Sequence, residues 1–206
     1  MSQIKLKHSG GNSVIIAAPD SNPASDRTLK LPSNADGTVL TTTNPKAGNI
    51  IQVVSTTKTD SFSTTSSSYV DITGMTVSIT PQSNNSKILL EVILNYGGAV
   101  NMYGGIKVLR DSTHIGVSTA VSLGNQVNAS FGLGTLSADS VNSDFKLLTA
   151  AFKILDTPST TNAITYKLQV YTRGTVEFNL NRPNGNHNDV YVIGGTSSIT
   201  AQEVAG

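Results

Sequence analysis

The sequence predicts an all-β protein: a jelly-roll-like two-sheet sandwich over residues 48–206, preceded by an N-terminal assembly segment of short strands over residues 1–47. Three observations carry this expectation. Of the 206 residues 37% are hydrophobic and only 13% charged, and the rest is dominated by Ser, Thr, Asn and Gly. Thr and Val suit pleated, half-buried surfaces, whereas Gly, Asn and Ser serve turns. Long amphipathic helical patterns are hard to find, while short apolar runs bounded by turn formers recur often enough for roughly eight to ten strands, which fits a sandwich better than an up-and-down barrel.

The first 47 residues contain only very short apolar pieces. Ile4 and Leu6 precede Ser9-Gly10-Gly11-Asn12; Val14, Ile15 and Ile16 precede Pro19-Asp20-Ser21-Asn22-Pro23; Leu29 and Leu31 precede Pro32-Ser33-Asn34; Val39 and Leu40 close the series. Pieces this small cannot enclose a core, because one face of each hairpin stays open to water. They need a partner surface, either the same region of neighbouring subunits or a groove on a larger assembly. A disordered tail is the competing reading. Residues 41–48, TTTNPKAG, mark the boundary.

Longer strands follow. Residues 49–56 form the first, and the Ser/Thr-rich stretch 61–68 reads as a loop or a flat edge strand. Residues 69–72 and then Met75, Val77 and Ile79 alternate with polar neighbours up to Pro81. Residues 87–96, KILLEVILNY, are the longest apolar run and the expected central strand, with Ile88, Leu90, Val92 and Leu94 on one face. Residues 106–110 and 113–117 read as a hairpin about Asp111-Ser112, and 126–131 as a strand in a Gly-rich region. Residues 145–155 and 164–170 are each apolar on one face and are expected to pair with one another across Asp156-Thr157-Pro158-Ser159. Strands over 175–180, 190–193 and 198–204 complete the domain.

Composition narrows function. A formal net charge of +1 without a basic cluster argues against nucleic acid binding. There is no cysteine for disulfides or thiolate metal sites. Residues 1–7 lack the apolar core of a signal peptide, and no run approaches the ~20 residues of a membrane span, so synthesis in a host cytoplasm without membrane insertion is expected. His8, His114 and His187 are dispersed and form no metal spacing, so no metal or cofactor is expected. Gly132-Leu133-Gly134 lacks the lysine and helix of a phosphate loop, and no Gly-x-Ser-x-Gly elbow is present.

Glu91 in the central strand and Glu177 are the carboxylates to weigh for glycoside hydrolysis. Placement of Glu91 on the wetter face or opposite a cation is the stronger reading, and no catalytic residue is assigned. The polar loop 181–189, NRPNGNHND, crowds amides, a guanidinium and an imidazole onto a connection between strands. Arg182, Asn184, Asn186, His187 and Asn188, with Tyr191 or Tyr171 to stack on a sugar ring, are the candidate binding residues. Ile4, Leu6, Val14, Ile15, Ile16, Leu29, Leu31, Val39 and Leu40 are the candidate assembly residues.

The phrases IIQVVSTTKTDSFSTT (50–65), YVDITG (69–74), VSITP (77–81) and SKIL (86–89), with LRDS (109–112), LDTP (155–158), TYKLQV (165–170) and SSIT (197–200), resemble the β-sandwich module of fibre and other virion structural proteins of tailed bacteriophages, especially marine ones. The resemblance spans residues 49 to about 204. LKLP (29–32) and DGTVLT (36–41) are similar to the short segments that precede such modules. The resemblance implies a non-enzymatic virion protein exposed on the particle and assembled as a homo-oligomer, commonly a trimer, with other virion proteins contacted through its N-terminus. The near absence of a shaft implies a short fibre or spike that could adsorb to host surface polysaccharide, or a head fibre or decoration protein stabilising the shell. A glycan-degrading enzyme is the rival from another class.

Overall fold

The computed structural model describes residues 3–7, 9–17, 21, 45–120, 124–134, 145–174, 176–185 and 187–206, with the backbone alone for Gln3, Ser13 and Val14. The chain divides into two compact units, Met1–Val39 and Leu40–Gly206.

In the first unit, β1 (Gln3–Lys7) and β2 (Ser13–Ala17) form an antiparallel hairpin. Its turn contains Gly11 at φ 97°, a backbone conformation that glycine enters without a Cβ clash. Ile4 stands opposite Ile16 and Leu6 opposite Val14, so the four positions share one face. Ile4, Leu6 and Ile16 are 62%, 57% and 59% exposed. Leu29, Leu31, Val39 and Leu40 lie outside the described residues.

The second unit is a two-sheet antiparallel sandwich. Its strands are β3 (Ile50–Lys58), β4 (Phe62–Thr64), β5 (Val70–Ile79), β6 (Lys87–Gly98), β7 (Gly104–Arg110), β8 (Thr113–Ile115), β9 (Phe131–Leu133), β10 (Leu148–Asp156), β11 (Ile164–Thr172), β12 (Phe178–Leu180) and β13 (Ser197–Val204). One sheet runs β3-β13-β6-β12-β4, with β10 on the other edge of β6; the second runs β5-β11-β7-β8, with β9 also on β7. The long pairs are nested: β3 with β13, β5 with β11, β6 with β10, and β7 with β8. The domain is thus one long hairpin, doubled back at Asp111-Ser112 and rolled so that successive pairs fall in alternate sheets, which is the jelly-roll arrangement.

Side-chain alternation explains why it closes. Ile88, Leu90, Val92, Leu94 and Tyr96 of β6 face Ile164, Tyr166, Leu168 and Val170 of β11 and Ile106 and Val108 of β7 in one buried cluster, with Met75, Val77, Ile199 and Phe178 around them. The outward residues of β6, Glu91 and Ile93 among them, stay partly or fully exposed. The expected central strand is therefore central.

Three local expectations are corrected. Residues 145–155 and 164–170 do not pair: β10 lies on β6 and β11 lies between β5 and β7. The link 157–163, with Ser159 at φ 52°, carries the chain from one sheet to the other. Each strand has a largely apolar face, and placing those faces on opposite sides of the core turns both inward, burying that of β11 and partly burying that of β10. The strand expected at 126–131 begins only at Phe131, because 126–129 form a wall of loop held from the side. Residues 190–193 form a turn with Val190, Tyr191 and Ile193 exposed, having no adjacent strand to pair with.

Candidate functional site

The jelly roll has two ends of different character. At one, residues 45–49 lead into β3 and the chain terminus finishes beside them: the Gly48 amide donates to the Ala205 carbonyl at 2.8 Å and the Ala205 amide to the Asn49 carbonyl at 2.9 Å. The 80–86 loop, the Asp111-Ser112 turn and the 157–163 link share this end. At the other end, by strand register, lie the connections 59–69, 99–103, 173–177 and 181–196.

The 181–189 loop leaves β12 at a buried corner. Asn181, at φ 62°, donates through Nδ2 to the carbonyls of Lys58 (2.9 Å) and Asp60 (2.8 Å), and its Oδ1 accepts from Ser197 Oγ at 2.6 Å. The Asn95 amide donates to the same Ser197 Oγ at 3.0 Å. Every polar atom of the corner side chain is satisfied, as burial demands. Arg182 is engaged with Glu177 at 3.6 Å, and half-buried Asn184 accepts from Asn179 at 3.5 Å. Beyond them the loop is open to solvent. His187 packs on Phe145 with ring centroids 4.9 Å apart, Tyr191 meets the same ring edge-on at 6.5 Å, and Asn188 is exposed. Asn186 lies outside the described residues. The structure therefore brings His187 and Tyr191 together around Phe145 and places Arg182 and Asn184 in a separate group with Glu177 and Asn179. Tyr171 belongs to neither and sits on the second sheet.

Glu91, Asp156 and Glu203 each have a partner, and Glu203 Oε2 is buried without one among the described residues. Glu91 faces outward and meets Lys153, its register partner on β10, at 3.4 Å. Glu203 is fully buried and accepts the Gln82 amide at 2.7 Å. Asp156 takes both a guanidinium and a phenol: Arg110 donates to it at 2.9 Å and Tyr166 Oη at 2.7 Å. Among the described residues no group of three or more His, Cys, Asp or Glu could hold a metal ion, and no helix is long and apolar enough to cross a membrane.

A cleft of about 370 Å³ on the outer face of the second sheet escaped the sequence reading. Its floor is a cross-strand row in which Gly132 stands opposite Gly105 and Gly105 opposite Tyr171. Tyr69, one residue before β5, completes the row, its ring 5.7 Å from that of Tyr171. Tyr103 forms the rim and residues 127–130 the far wall. Tyr69 Oη donates to the Asn128 carbonyl at 2.9 Å, the Ser118 amide to the Ala129 carbonyl at 3.1 Å, and Ser130 Oγ to the Ile115 carbonyl at 2.8 Å while accepting from the Val108 amide. Burial raises the Tyr69 pKa above its ordinary value, with the neighbouring Tyr171 adding to it, so the phenol stays a donor. The available signal was glycine inside strand patterns, which marks close approach of another backbone or of a ligand.

No protein-family model matches the chain, and no curated protein matches it. Among solved structures, T=1 particles derived from infectious bursal virus share 12% identity at a TM-score of 0.37, over 87% of this chain and 41% of theirs. The VP2 subviral particle of infectious bursal disease virus shares 12% identity at a TM-score of 0.37, over 93% of this chain and 50% of its own. The Gt strain of that virus gives 13% and 0.35, over 95% and 48%. The chain spans half or less of the length of these proteins.

Proposed function

We propose that the chain is a non-enzymatic bacteriophage virion structural protein, a short fibre- or spike-type appendage anchored by its N-terminal region and presenting a jelly roll to the outside. The observation that carries this reading is the polarity of the sandwich: residues 45–49, which follow the N-terminal region, occupy one end, and the long polar and aromatic loops the other. A domain tethered at one end and elaborated at the other is built to project. The apolar face of the N-terminal hairpin, exposed at Ile4, Leu6 and Ile16, supports assembly with a second polypeptide, as do Ile50, Val53, Ile93 and Leu155 exposed on the outer face of the first sheet. A homotrimer satisfies both, and the phrases shared with phage virion modules support the particle as its location. Engagement of Glu91 by Lys153 and of Glu177 by Arg182 supports a binding rather than hydrolytic role.

Removing residues 1–47 tests the proposal. The remaining sandwich, which contains the buried core found among the described residues, should fold and no longer incorporate into particles; undiminished incorporation contradicts the assignment. Adsorption to host surface polysaccharide through Arg182, Asn184, Asn186, His187, Asn188 and Tyr191 is a second element of the proposal, supported by the solvent-exposed ring cluster of His187 and Tyr191. Unchanged adsorption of particles carrying Arg182→Ala with His187→Ala removes it. A head decoration protein is the alternative, separated by labelling intact particles and locating the signal on head or tail.

A further inference from the structure

The glycine-floored cleft of the second sheet has the properties of a preformed binding site. Its far wall is anchored by hydrogen bonds to Tyr69, β7 and β8 rather than held by loop packing alone. Its width depends on absent side chains. A Cβ on Gly105 would stand 3.0 Å from Ala129 Cβ and 3.1 Å from Tyr69 Oη. A Cβ on Gly132 would meet nothing within 4 Å. Gly132 therefore does no packing: its bare position leaves the space open.

The lining selects a ligand class. Tyr103 is 53% exposed and presents a ring to the opening, and tyrosine faces beside hydroxyl donors suit the C–H faces and hydroxyl rims of a sugar ring. The volume is at the small end of ligand sites and accommodates roughly a disaccharide. Among the described residues no carboxylate lines the cleft. Two cations border it: Lys107 Nζ rests 4.1 Å from the centre of the Tyr69 ring, and Arg173 Cζ lies 5.9 Å from that of Tyr103. Neither has a carboxylate partner among the described residues. Two cations suffice for one acid group and fall short of the basic stripe a polyphosphate chain requires.

We propose that this cleft, floored by Gly105 and Gly132 and walled by Tyr69, Tyr103 and Tyr171, binds a saccharide that carries a carboxylate. The site is separate from the 181–189 loop, and binding by the soluble chain does not depend on incorporation into a particle. The test is a calorimetric or NMR titration of the full chain with trigalacturonate and sialyllactose, against galactotriose and lactose as neutral counterparts. Saturable binding of at least one acidic sugar, about tenfold tighter than its neutral counterpart, is expected, with the difference lost in Lys107→Gln. Gly132→Phe should abolish binding while leaving thermal unfolding unchanged or shifted upward, since the new ring enters open space on a strand. Should that variant fail to fold, Tyr103→Ala on the exposed rim replaces it, with binding about tenfold weaker. Failure of both acidic sugars to bind saturably, equal binding of neutral and acidic sugars, or wild-type binding by folded Gly132→Phe or Tyr103→Ala overturns the proposal.

Discussion

At the scale of single residues, Asp156 serves two donors at once. It closes β10 against the second sheet by accepting from Arg110 and Tyr166, and so bolts the two layers together at the end where residues 45–49 enter. Its removal leaves a largely buried guanidinium and phenol without their acceptor. Asp156→Ala should therefore cost about 3 kcal/mol in urea unfolding, and Tyr166→Phe about 1 kcal/mol. Tyr166 also sets an alkaline limit. Burial, then the hydrogen bond and charge of Asp156, push its pKa far above the ordinary 10.0. A raised phenol pKa means that the folded state favours the neutral form. The contribution is present below the unfolded pKa and declines as pH rises past it, because only the unfolded chain then releases the proton. Stability should accordingly fall above about pH 10, and Tyr166→Phe, though weaker at neutral pH, should show a shallower fall in urea midpoint across that range. Asn181 makes a parallel case. Its backbone lies in the left-handed region and its amide closes the corner between β12 and β13, so Asn181→Ala should cost about 2–4 kcal/mol. In sequence it was one more amide of a polar loop, since an amide that recognises a ligand and one that satisfies buried carbonyls look alike until the fold brings Lys58 and Asp60 beside it.

At the scale of elements, what was legible is what alternation encodes. The central strand, the strand ending at Pro81, the turn at Asp111-Ser112 and the final strand all emerged because a buried face writes a period of two into the chain. Partnership was less legible. β10 and β11 are sequence neighbours with matching apolar faces, yet each pairs with a strand far away, since a rolled hairpin pairs its arms by distance from the Asp111 tip rather than by proximity along the chain. The cleft was invisible for a related reason: Gly105, Gly132, Tyr171 and Tyr69 become one row only through strand register. The N-terminal segment reads as short apolar pieces, and in its hairpin Ile4, Leu6 and Ile16 are exposed. Two strands with an open apolar face are marginal in water. Leu6→Asp should therefore leave the thermal transition of the sandwich within about 1 °C of wild type, since no core residue is touched, while reducing the assembled fraction seen by size-exclusion chromatography.

At the scale of the whole molecule, the sandwich carries its own buried core, while the N-terminal hairpin leaves Ile4, Leu6 and Ile16 exposed. The long polar and aromatic loops of the jelly roll lie at one end and residues 45–49 at the other, and the formal net charge of the chain is +1. Self-association through the leading segment is the step on which the appendage reading stands, and light scattering of the purified full chain at micromolar concentration measures it most directly. A mass near three subunits, falling to one when residues 1–47 are removed, is the predicted result. A full chain that stays a stable monomer across the accessible concentration range would contradict it.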